Sequence, residues 1–227
     1  MSAFDEAIRE QLAWLARRRS EGMARAGWKI CVNDRRMQKK LELDSSFVGF
    51  LDGSRALRSG ETWPVQAGSI LGVEPEFAVR FDAAVPATAD AQAIRRAVGG
   101  VAPALEVVDW REAKLDLHTM AASSSFHAGF VVGELRPFEA VPAIADGCPL
   151  FRRGDELLAV PDPTLVPADL TRLIAGVAAF LARHGQGIEA EDWLLCGACT
   201  NPARVEPGDV VEADFGSLGP VSVRFAT

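Results

Sequence analysis

No apolar run in this 227-residue sequence approaches the roughly 20 residues that a bilayer-spanning helix needs. Positive charge is in deficit: 24 lysines and arginines face 31 acidic residues, a formal net charge of −7. That balance argues against nucleic-acid and anionic-membrane partners, both of which want basic patches. Met1-Ser2-Ala3-Phe4-Asp5-Glu6 carries acids and no continuous apolar stretch, so no secretion signal is expected, and the expected location is cytoplasmic. Glycine-rich phosphate loops of the G-x-G-x-x-G or P-loop type are missing, and so are internal repeats. Cysteine is sparse, with Cys31, Cys148, Cys196 and Cys199 alone. Cys196-Gly197-Ala198-Cys199 has C-x-x-C spacing, but zinc would require a second close pair, and a thioredoxin-type motif would require a strand–helix junction. Trp193-Leu194-Leu195 reads instead as a strand entering a loop, so buried or loop thiols in a reducing compartment are expected. Ser124 and Ser125 lie near His127, yet the G-x-S-x-G elbow that would expose a nucleophile is absent.

The hydrophobic content of 48% suffices for one packed domain with a small extension. Phe4, Ile8, Leu12 and Leu15, with early acids and Arg17, Arg18 and Arg19 late, predict an amphipathic helix over 3–19. Residues 1–25 are therefore expected as an N-terminal helix and 26–227 as the main domain. Short strands are expected at Ala26–Val32, Gly72–Phe81, Pro103–Asp109, Ala128–Gly133 and through the tail. Helices are expected near 35–41 behind Asn33, near 89–98 behind Thr88, and over 169–184. Residues 44–65 read as a long loop, 137–149 as a proline-rich excursion, and 150–160 as a hairpin turning at Arg153-Gly154-Asp155. The class is α+β and strand-dominated.

One stretch stands out chemically. In Gly72-Val73-Glu74-Pro75-Glu76-Phe77-Ala78-Val79-Arg80-Phe81, apolar and polar residues alternate at strand period, which puts both glutamates on one face. Glu106 sits inside the apolar run Pro103-Ala104-Leu105-Glu106-Val107-Val108-Asp109. Like charges this close raise one another's pKa unless something positive stands between them. A hard divalent cation on oxygen ligands would neutralise all three. A solvated Glu-x-Glu face is the alternative. Lys29 is a lone cation in an apolar strand.

These segments, in the order Gly27-Trp28-Lys29-Ile30, Val73 to Ala78, Pro103 to Asp109, Ala128 to Gly133 and Glu206 to Phe225, resemble the fumarylacetoacetate hydrolase superfamily. The likeness covers most of residues 22–225 and is strongest to its branch of 2-keto-4-pentenoate hydratases and 4-oxalocrotonate decarboxylases. It implies a mixed β-roll and a Mg²⁺ or Mn²⁺ site with ligands Glu74, Glu76 and Glu106. It also implies a substrate-side lysine at Lys29 and a hydratase-type lyase acting on a short 2-oxo acid through a metal-stabilised enolate. Homo-oligomers and association with a related lyase are implied as well. The sequence departs from that pattern at the proton-handling positions. Ser123-Ser124 stands for Asp-Asn, Ser46 for a loop acid with Asp44 and Asp52 nearby, and Cys196-Gly197-Ala198 for Thr-Gly-Ser. Expected catalytic residues are Lys29, Asp52 and Ser124, and expected substrate contacts are Lys29, Ser46 and Cys196, with His127 a further candidate for the missing acid. Two alternatives stay open: a catalytically weakened paralogue that binds a 2-oxo acid or a partner subunit, and a C–C hydrolase or decarboxylase of the same superfamily.

Overall fold

Alternating apolar residues build two sheets, and helices close over their flanks. The structure is a computed structural model that describes residues 2–111, 114–138, 149–159 and 162–227. Its first half runs α1 (Ala3–Ser20), β1 (Arg25–Cys31), α2 (Arg35–Lys40), β2 (Phe47–Asp52), β3 (Ala56–Arg58), β4 (Thr62–Pro64), β5 (Leu71–Phe81), α3 (Ala91–Ala97) and β6 (Val98–Asp109). There follow α4 (Leu117–Ala122), β7 (His127–Val132), β8 (Leu150–Arg153), β9 (Glu156–Ala159), α5 (Leu170–Arg183), β10 (Trp193–Ala198), β11 (Ala203–Val205), β12 (Val210–Asp214) and β13 (Pro220–Ala226).

The larger, eight-stranded sheet has the order β2-β1-β10-β5-β6-β7-β3, with β11 pairing onto β5. Most of its pairs are antiparallel, whereas β1–β10 and β3–β7 are parallel. The five-stranded sheet runs β4-β13-β12-β8-β9. Val211, Ala213, Val221, Val223 and Phe225 alternate inward from β12 and β13 and are fully buried in one cluster with β5 and β6 residues. Phe77 of β5 meets Phe215 edge-on, with centroids 5.0 Å apart, as expected where two sheets share a core. The fold is thus mixed and strand-dominated.

Helix α1 begins in a capping box between Ser2 and Asp5, which satisfies orphan amides at its first turn. Two capping assignments shift by one or two residues. Asp34, rather than Asn33, caps α2, and Asp90, rather than Thr88, caps α3. The long loop expected over 44–65 contains β2, β3 and β4 instead. Strand β2 is buried at every position, so it carries no alternation to read. Residues 139–148, which hold Cys148 and most of the proline-rich excursion, and Val160 at the end of the expected hairpin, lie outside the described residues.

Candidate metal centre

The longest strand pair, β5 with β6, lies in the middle of the large sheet, and its register sets the site. Glu74 lies directly across from Glu106, and Glu76 follows two residues along the same face. One carboxylate oxygen from each of the three lies within 4.8 Å of the others. Glu76 and Glu106 are almost wholly buried, and Glu74 is partly exposed. Lys29, on β1, is buried too, and its Nζ donates to Glu106 Oε1. His127, at the start of β7, places Nδ1 2.8 Å from the same oxygen. The Gly197 N–H donates to Glu76 Oε2 at 2.7 Å. Gly197 has φ +99°, a left-handed conformation that glycine adopts without a Cβ penalty, and the turn it makes aims that amide at the carboxylate.

The electrostatics follow from this crowding. Burial and the Glu106 charge push the Glu74 carboxyl up to about 8. The same two causes push Glu76 well above its usual range. Burial alone would raise Glu106, but the Lys29 ammonium and the His127 hydrogen bond bring it below the ordinary glutamate value. Burial opposes the Lys29 ammonium, yet the surrounding glutamates hold its pKa above normal. Burial lowers His127, so the neutral ring with hydrogen on Nδ1 is the tautomer that suits the Glu106 contact. Three ionised carboxylates and one ammonium sum to −2, the charge a dication cancels. The donors are all hard oxygens, which suits Mg²⁺ or Mn²⁺. The residues present therefore fit such an ion.

The glutamates and Lys29 line a cavity of about 540 Å³, together with Asn33, Asp34, Met37, Trp110, Leu115 and Phe126 among others. Four expected site residues do not line this cavity. The Ser46 hydroxyl donates to the Val32 carbonyl at 3.2 Å, outside the cavity lining. Cys196 is buried in the main core, with Sγ 3.6 Å from the Leu194 carbonyl. Asp52 accepts from Ser54 at the turn that follows β2, and the Ser124 hydroxyl accepts from the Phe50 N–H at 3.3 Å. Both face a second cavity of about 820 Å³ that His127 also lines. Neither lines the cavity that Lys29 and the glutamates share. Asp44 is exposed and lines neither cavity. Sequence reasoning missed the Gly197 amide and Asn33, whose side-chain amide donates to the Ala198 and Leu165 carbonyls at 2.8 and 3.0 Å. The signal for Gly197 was the glycine inside Cys196-Gly197-Ala198; Asn33 offered none beyond its capping chemistry.

No family model matches the chain. A 4-oxalocrotonate decarboxylase from Pseudomonas sp is 25% identical over 232 residues, 98% of this chain and 86% of the relative. The 2-keto-4-pentenoate hydratase 1 of Dechloromonas aromatica (strain RCB) is 28% identical over 223 residues, 94% of this chain and 81% of the relative. Among solved structures, 4-oxalocrotonate decarboxylase from Pseudomonas putida G7, complexed with magnesium and adipate, superposes with TM-score 0.88 at 21% identity, covering 98% of this chain and 86% of that one. A Yersinia pestis CO92 structure assigned to the fumarylacetoacetate hydrolase family gives TM-score 0.68 at 13% identity, covering 89% and 93%. Fumarylpyruvate hydrolase from Pseudomonas aeruginosa, in complex with Mn²⁺ and pyruvate, gives 0.68 at 14% identity, covering 89% of each chain. By fold and by sequence, the chain is similar to proteins of the fumarylacetoacetate hydrolase superfamily. Within it, the relatives lie in the 2-keto-4-pentenoate hydratase and 4-oxalocrotonate decarboxylase branch.

Proposed function

We propose that this chain is a divalent-metal-dependent lyase of hydratase type that acts on a 2-oxo (2-hydroxy-dienoic) acid. The observation that carries it is the convergence of Glu74, Glu76 and Glu106 beside a buried Lys29, at one end of a cavity with largely apolar walls. Glu74, Glu76 and Glu106 hold the ion in this reading, with Mg²⁺ or Mn²⁺ as its identity. When bound, the ion supplies positive charge that the carboxylate and keto oxygens of a 2-oxo acid share, which favours the enolate. Lys29 keeps Glu106 ionised and adds positive charge near the acid end. The Gly197 amide and the His127 ring fix the orientation of Glu76 and Glu106. The apolar walls displace water, which strengthens each of these charge interactions. The relatives' names, and magnesium, manganese and pyruvate in the superposed structures, support the reading.

Binding without turnover is the second reading, and one observation favours it. Among the described residues lining the cavity, Asp34 is the one carboxylate beyond the three glutamates, and it is engaged in capping α2. Calorimetry should show Mg²⁺ binding that Glu76→Gln and Glu106→Gln each weaken strongly; unchanged affinity in both would remove the cage. With metal present, the ultraviolet absorbance of 2-hydroxypenta-2,4-dienoate should then decay. Oxalate binding without decay of that or any related dienoate would select the binding-only reading. A homo-oligomer, with or without a related lyase, is part of the same proposal.

A further inference from the structure

The walls of the metal-side cavity differ sharply from its head. At the head stand the three glutamates and Lys29, and Lys29 is already engaged with Glu106. The rest of the lining is mostly apolar, with Met37, Val108, Trp110, Leu115, Met120, Phe126, Leu165 and Pro202, and its polar side chains other than Asp34, namely Asn33, Ser125, Thr200 and Asn201, are uncharged. Among the described residues, no arginine, no histidine and no second lysine lines the cavity. Apart from the three glutamates and Lys29, the charged group in the lining is the Asp34 carboxylate, which repels an anion. Arg111, next to Trp110 in sequence, is turned away: it is bound to Asp109 at 2.6 Å and lines the second cavity. Size matters as well. A five-carbon 2-oxo acid has eight heavy atoms, which fill on the order of 240 Å³ at the roughly 30 Å³ that a water claims in the liquid. That is less than half of the 540 Å³ present.

We propose that the ligand of this site is a monocarboxylic 2-oxo acid whose tail is uncharged, apolar and larger than the two-carbon vinyl end of a pentenoate. The proposal rests on the metal-site reading above and adds the tail. A second carboxylate at the far end would lose its water without meeting a cation, which is unfavourable. An alkyl or aryl tail would instead displace water from Met37, Leu115 and Phe126 and gain burial with each methylene.

Calorimetry on the Mg²⁺-loaded protein with oxalate, pyruvate, 2-oxohexanoate and 2-oxoadipate tests it. 2-Oxohexanoate is expected to bind on the order of tenfold more tightly than pyruvate, from added apolar burial. 2-Oxoadipate, of the same length but with a terminal carboxylate, is expected to bind about tenfold more weakly than 2-oxohexanoate. Leu115→Arg, at an exposed position on the rim, should improve 2-oxoadipate affinity several-fold and so narrow the gap. If oxalate and pyruvate bind but 2-oxoadipate equals or exceeds 2-oxohexanoate, the tail assignment is wrong and the metal site survives. An unchanged gap in Leu115→Arg would also overturn the tail assignment. If neither oxalate nor pyruvate binds, the metal-site reading falls and takes the tail assignment with it.

Discussion

Glu106 is the most constrained side chain in the centre, because Lys29 and His127 both donate to its Oε1. The ion pair with Lys29 sets its charge, and the imidazole sets its angle. Removing the imidazole should loosen the carboxylate without removing it. His127→Ala is therefore expected to weaken Mg²⁺ about tenfold or more, within the 10–100-fold range typical of groups that orient metal ligands. His127→Asn, which keeps an N–H donor, should restore part of that loss in the same titration. A purely structural role would lower the melting temperature of both variants and leave their metal affinity alone.

Proton competition belongs to the same scale. Burial and the neighbouring charge raise Glu74 to about 8 from an ordinary 4.5, and Glu76 well above that ordinary value. The metal-free folded protein therefore binds more protons than the unfolded chain between those limits, and its stability falls as pH rises through that window. A dication must displace these protons, so its affinity rises over the same range. Titrations from about pH 6 to about pH 9, in buffers of different ionisation enthalpy, should show proton release that shrinks as the pH approaches the upper end. Affinity independent of pH would mean that the glutamates stay ionised without the ion.

At the scale of elements, what could be read from the sequence was set by where polar and apolar residues alternate. Strand β5 has one face in the core and one toward the cage, so its alternation is plain, and the Glu74–Glu76 pair could be placed before any coordinates. The run holding Glu106 was legible because a carboxylate among Leu105, Val107 and Val108 is out of place without a partner. Strand β2 is buried on both faces and short α4 has little periodicity, so neither was legible. Lys29 was equally ambiguous, since a lone strand lysine is ordinarily solvated and its partner lies on β6, beyond two intervening strands. Ser46, Asp52, Ser124 and Cys196 were placed near the glutamates by resemblance alone. None of the four lines the metal-side cavity, although Cys196 adjoins the Gly197 amide that binds Glu76 and its thiol feels the Glu76 charge.

Strand β10 makes the point with its backbone. Its register against β5 shifts between Leu195 and Ala198, and Gly197 turns its N–H to Glu76 within that irregularity. A Cβ there would come within 2.9 Å of the Asn33 side chain, and φ +99° is unfavourable for alanine. Gly197→Ala is expected to destabilise the fold by about 1–2 kcal/mol in denaturant melts. It should also weaken metal binding, because the backbone shift that a Cβ forces would misaim the amide that Glu76 accepts. Melts and metal affinity both matching wild type would show that the amide contributes nothing to the site.

For the whole molecule, the position of the cage decides how strongly an ion should couple to folding. β5 and β6 are the middle of the large sheet, and residues of both join the core beneath the small one. The unfolded chain scatters Glu74, Glu76 and Glu106 and has no affinity comparable to the folded site. Saturating ion should therefore act on global stability and not merely on a loop. At an ion concentration of about 100 times the dissociation constant, the gain is about 2.7 kcal/mol. For a chain of this size that corresponds to a rise in melting temperature of roughly 5–10 °C. Chelator should reverse the rise in the wild type. Glu74→Gln with Glu76→Gln should melt at one temperature whether or not Mg²⁺ is added. Since the neutral amides resemble the protonated carboxyls that Glu74 and Glu76 carry in the metal-free protein near neutral pH, that variant is expected to be about as stable as the metal-free wild type. An equal response to Mg²⁺ in the variant and the wild type would place the ion on the surface, away from the three glutamates.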